Sequence, residues 1–88
     1  MRIHAFDWDF RNIDHMARHG VSPEEVEEAC YPRPFILKGR EGLYLIYGQT
    51  RDGRYLFVAA RYQGQGILRA ITARDMTASE KKLCQNRR

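Results

Sequence analysis

The sequence predicts an α+β fold, with two N-terminal helices, a four-stranded antiparallel sheet and a short C-terminal helix. Three observations carry that reading. Apolar residues recur at helical spacing up to about Tyr31, the segment "YPRP" then bars a helix, and the runs that follow alternate with a period of two. A Thr-x-x-Glu cap at Thr77 reopens helical spacing.

The first helix is expected over Phe10 to His19. In "DFRNIDHMARHG", Phe10, Ile13 and Met16 or Ala17 fall on one face, Asp9 is available as N-cap, and Gly20 as the left-handed stop. The second opens at "SPEEVEEAC" and ends by Tyr31. Ser22 is its cap, Pro23 takes the first helical position, and Glu25 completes a capping box with acids that suit the helix dipole. Pro32 and Pro34 then lack an amide donor and push each preceding residue toward extended geometry.

Four strands follow in "PFILK", "LYLIYGQT", "RYLFVAARY" and "GILRAITA". The loops between them, "GREG", "RDG" and "QGQG", each contain glycine, as an antiparallel meander requires. In the third strand, Leu56, Val58 and Ala60 alternate with Tyr55, Phe57 and Ala59, so it is expected to be central and covered on both faces. Finally "TASEKKLCQ" starts a short helix with the box Thr77 to Glu80.

A chain of 88 residues is a single domain, 1–88, with a modest core. Hydrophobic residues at 43% and charged ones at 30% place it among soluble globular proteins. No apolar run reaches the roughly 20 residues that span a bilayer. The start "MRIHAFDWDF" is too charged for a secretory signal, so the expected compartment is the cytoplasm. In that setting Cys30 and Cys84 are expected as free, partly buried thiols. The formal charge of +4 makes polyanions plausible partners, which is why the cations repay scrutiny.

Arg69 stands among apolar residues in "ILRAITA", where a cation needs a partner or a cleft. Arg74 follows at the strand end, before the Thr77 cap. Lys81 and Lys82 lie in the first turns of the last helix, where the dipole disfavours cations and an anionic ligand would offset the cost. Tyr44, Tyr47, Tyr55 and Tyr62 interleave with the cations, a mixture suited to holding a single strand by stacking and phosphate contacts. Arg61, Tyr62 and Lys82 are the RNA-binding candidates. His15 and His19, at i and i+4 in "HMARH", lack a third ligand at a recognisable distance, so no metal is expected. Neither cysteine nor any serine has the surroundings of an activated nucleophile.

Three segments together resemble a known family. "FDWD" (Phe6 to Asp9), "RHGVSPEEVEEA" (Arg18 to Ala29) and "RAITARDMTASEKK" (Arg69 to Lys82) are similar, in order and over nearly the whole chain, to the signature blocks of the BrnT family. These are small toxins of type II toxin–antitoxin operons with a RelE-like fold. The tyrosine that commonly follows on that family's final helix would fall near Cys84. The resemblance implies a metal-independent ribonuclease that inhibits translation and needs no cofactor. It also implies neutralisation by a small DNA-binding, BrnA-like antitoxin, in a homodimer or a toxin–antitoxin hetero-oligomer. Carried over residue by residue, it makes Arg69, Arg74 and Lys81 the catalytic candidates. An alternative stays open, a catalytically inactive RelE-like domain that binds RNA or a partner protein through its basic face.

Overall fold

Asp9 adopts extended backbone (φ −142°), and its carboxylate accepts the amides of Arg11 and Asn12 at 3.0 and 3.2 Å. Asn12 returns a bond to the Asp9 amide at 2.9 Å. That reciprocal cap starts α1 (Phe10–Ala17) in the computed structural model, which describes residues 2–31 and 33–87. Gly20 closes the helix at φ +72°, where its amide bonds to the Ala17 carbonyl and the Val21 amide to that of Met16. Regular helix therefore ends two residues before His19, and a glycine turn makes up the difference. Ser22 and Glu25 exchange bonds of 3.1 and 3.0 Å to start α2 (Pro23–Ala29).

The sheet holds five strands, in the order β1-β5-β4-β3-β2: β1 (Ala5–Phe6), β2 (Phe35–Lys38), β3 (Leu43–Gln49), β4 (Tyr55–Tyr62) and β5 (Ile67–Asp75). Strands β2 to β5 form the expected antiparallel meander, but β1 lies parallel to β5, with Ala5 opposite Ile67 and Phe6 opposite Leu68. The sheet is thus five-stranded and mixed, a correction to the expectation of four antiparallel strands. A two-residue strand carries no periodicity, and its pairing depends on a partner some sixty positions away. The last helix, α3 (Ala78–Arg87), is opened by the Thr77–Glu80 box.

Strand β4 is central, as its pattern predicts. Leu56, Val58 and Ala60 join Met16, Val21, Val26, Ile46 and Leu68 in the main core beneath α1 and α2. On the opposite face Tyr55 and Phe57 pack with Tyr47, Met76 and Cys84 under α3. Both cysteines are buried and free. Gly48 marks the closest approach of the layers, since a Cβ there would fall 1.7 Å from the Ala29 carbonyl oxygen. Between Ala59 and Ala60 the β4–β5 register slips, because Ala59 faces Thr72 and Ala60 faces Ala70. Ile71 is the extra residue of this bulge, which re-aims Ile71 and Thr72. Among the described residues no helix is long and apolar enough to cross a membrane.

Candidate functional site

Alternation along β4 and β5 decides where the cations point. Leu68 and Ala70 enter the main core, so Arg69 between them faces the other side of the sheet, directly opposite Arg61. At the far end Arg74 pairs with Phe57, on the face covered by α3. Arg61, Arg69 and Arg74 therefore share one sheet face. Arg69 and Arg74 are five positions apart on the strand, roughly 16 Å of extended chain, and each leans toward a different partner.

Arg74 lies 4.4 Å from the Phe57 ring centre and donates to both Glu80 oxygens at 2.8 and 3.0 Å. This hydrogen-bonded pairing raises the Arg74 pKa further and holds the Glu80 carboxyl below the usual carboxylate range. Glu80 is at once the capping residue of α3 and the partner of Arg74. Lys81, exposed on the next position, reaches to 5.7 Å from the Tyr55 ring, and Lys82 is exposed beside it.

Arg69 is held at the opposite end by Asp7 and Asp9, at 3.3 and 3.0 Å. The Asp9 carboxyl sits below its ordinary range, first because it accepts the Asn12 amide and then because of Arg69. Arg61 is exposed and donates to the Glu41 carbonyl. Tyr62 does not join this group. Its ring packs on the main core edge-on to Tyr44, and its hydroxyl accepts the Gly66 amide at 2.8 Å, bracing the β4–β5 turn. Period two explains the placement, because residues 61 and 62 face opposite ways. Tyr47 is likewise buried, and Cys84 sits in the core with its thiol toward the Tyr47 carbonyl at 3.6 Å.

The structure adds residues that the sequence reading left aside. His15 Nε2 meets the Thr72 hydroxyl at 3.1 Å across the open edge of β5. These two residues, with Arg11, Asn12, Arg69 and Ile71, line a groove of about 300 Å³ between α1 and β5. The signal in the sequence is the spacing of Arg11 and His15, four apart on one helix face. The His15 and His19 rings do meet, edge to face at 5.3 Å. Among the described residues no cluster of three His, Cys, Asp or Glu side chains is placed to hold a metal.

A larger cleft, about 570 Å³, lies between α2 and the β3–β4 turn and is lined by Glu24, Glu27 and Glu28 with Arg51. Its carboxylates are partly committed, Glu27 to the Trp8 indole at 2.7 Å and Glu28 to the Arg51 amide at 3.1 Å. Size does not make it the better candidate, since an acidic lining repels the polyanions that the chain's charge favours. Compared with protein-family models and with curated proteins, the chain matches none.

Proposed function

We propose that the chain is a ribonuclease toxin of a type II toxin–antitoxin system, with a RelE-like fold, that cleaves RNA without metal and so inhibits translation. The observation that carries this reading is the row of Arg61, Arg69 and Arg74 on one sheet face, with Lys81 and the Tyr55 and Phe57 rings at its α3 end. Guanidinium forks bind phosphate, and the Tyr55 and Phe57 rings packed under α3 back Lys81 and Arg74 from below. The row is longer than one nucleotide step, so it suits a strand better than a mononucleotide.

Metal-free cleavage requires the 2′-hydroxyl to attack its own phosphate, and the dianionic phosphorane that forms is stabilised by cations already in place. Arg69, Arg74 and Lys81 are the candidates for that task, and because Arg69 and Arg74 stand roughly 16 Å apart, one end of the row meets the reacting phosphate and the other holds a flanking one. The motif resemblance to the BrnT family supports the same assignment and implies a small DNA-binding antitoxin as partner.

A second reading, a catalytically silent domain that binds RNA or a partner through the same face, is favoured by one observation. Arg69 and Arg74 each already hold carboxylates, Asp7 with Asp9 and Glu80. Tightly controlled expression separates the two, with growth and total RNA integrity followed. Growth arrest with fragmented RNA is the expected result. Normal growth and intact RNA, from a protein that binds RNA in vitro, would establish the second reading.

A further inference from the structure

The geometry points to the α1–β5 groove as the seat of the cleavage chemistry, with His15 as the proton-transfer group and Arg11 and Arg69 as the cradle of the scissile phosphodiester. This rests on the ribonuclease reading and deepens it, because the strand-borne cations alone provide no group that can take a proton near neutral pH. An imidazole can, since its ordinary pKa lies near 6.5.

Several independent features converge on the groove. It is lined from α1 by Arg11 and His15, one helical turn apart, and from β5 by Arg69 and Thr72, on either side of the bulge. No carboxylate is among the residues that line it. Asp7 and Asp9 pair with the Arg69 guanidinium and fix its position at the mouth, while Asp9 also caps α1 and Asp7 accepts from Gln63. Arg11 is exposed, and its side chain makes no ion pair among the described residues. The wall between them is built firmly, for the buried Asn12 side chain donates to the carbonyls of Asp7 and Ala70 at 2.9 and 3.2 Å and ties α1 to β5 and to the residue that follows β1. The bulge places Thr72 so that its hydroxyl meets His15 Nε2 at 3.1 Å and fixes the ring at the groove. Thr72 is a positioning residue.

In the proposed step Nε2–H donates to the Thr72 hydroxyl oxygen, the other ring nitrogen, Nδ1, takes the proton of the 2′-hydroxyl, and the 2′-oxygen forms a bond to phosphorus. The bond from phosphorus to the 5′-oxygen breaks, and the leaving oxygen takes a proton from water. The imidazolium returns its proton to solvent. The products are a 2′,3′-cyclic phosphate and a 5′-hydroxyl, and no oxidant or metal enters the balance. Arg74 and Lys81, at the other end of the sheet face, hold a flanking part of the strand. The groups facing His15 are Arg11 and His19 from α1 and Arg69 and Thr72 from β5.

The test uses the full chain and two probes, an RNA oligonucleotide and its uncleavable 2′-O-methyl counterpart. His15 is exposed, so His15→Gln should leave the melt unchanged. It is expected to lower RNA cleavage on the order of 10²-fold or more and to leave affinity for the methylated oligonucleotide within about threefold. Thr72→Val should lower the wild-type cleavage rate without changing affinity. Inorganic phosphate should shift the His15 ring resonances more than those of His4. Cleavage by His15→Gln within threefold of wild type would overturn the inference while leaving the ribonuclease reading intact, as would a phosphate response no larger at His15 than at His4. A wild-type protein that binds the methylated strand but never cleaves RNA would overturn both.

Discussion

Replacing Arg74 by alanine removes two contacts that the structure makes explicit. The guanidinium bridges to Glu80 through two bonds and lies over Phe57, which fastens the start of α3 to the sheet. Its side chain is 41% exposed, so solvent screening limits the ion pair to about 0.5–1 kcal/mol. Loss of the ring contact adds about 0.5–1 kcal/mol more. A total of about 1–2 kcal/mol lowers the melting temperature of a domain this size by roughly 5–15 °C. This exceeds the cost of an ordinary surface substitution, the expectation for a side chain that merely leans over the sheet. The loss also has a pH signature. The folded-state pKa of Glu80 is depressed, chiefly by Arg74, so the ion-pair contribution is present above the carboxyl's unfolded pKa and vanishes as pH falls through the folded one. Circular dichroism melts of wild type and Arg74→Ala at pH 7, 5 and 3 should show a gap that is full at pH 7 and narrows at low pH as the Glu80 carboxyl is protonated and the ion pair is lost. Arg74→Lys should recover part of it, keeping the charge but not the fork. Identical melts at pH 7, or a gap equally wide at pH 3, would refute the reasoning.

Gly48→Ala should be among the most damaging single changes, at about 3 kcal/mol or more, because the new methyl meets the rigid backbone of Ala29 and α2 must shift; urea melts check it. Burial pushes the Cys30 thiol up to about 12, and Cys84 is fully buried, so iodoacetamide at pH 8 should label neither in the native protein and both after unfolding. Any RNA cleavage should persist in EDTA, since the proposed chemistry runs on guanidinium and imidazole groups; gel assays with and without chelator decide this.

The parts of the fold written in local signals were legible in advance. Both capping boxes, the Gly20 stop, the meander and the two-sided cover of β4 follow from residue types at fixed offsets. The pairing of Phe6 with Leu68 was not legible, nor was the slip at Ala59, because both depend on contacts between distant residues. The candidate site divides in the same way. Arg61, Arg69 and Arg74 stand out in the sequence and do share a face, but Tyr62 turns inward, one residue out of phase with Arg61. Glu80 reads from the sequence as a cap alone, while the fold gives it Arg74 as well. His15 has no assigned role in the sequence, where the His15–His19 pair lacks a third metal ligand, and only the edge of β5 brings Thr72 to it.

Binding of a short single-stranded RNA across a salt series is the most direct test of the central claim that the basic sheet face engages the phosphate backbone. For wild type, the logarithm of the association constant should fall linearly with the logarithm of salt concentration, with a slope of about −0.7 for each phosphate contacted. In the double variant Arg61→Gln, Arg74→Gln the slope should become shallower by about 1.4, two contacts fewer, in a protein still folded by circular dichroism. A slope near zero for wild type, or an unchanged slope in the double variant, would contradict the account.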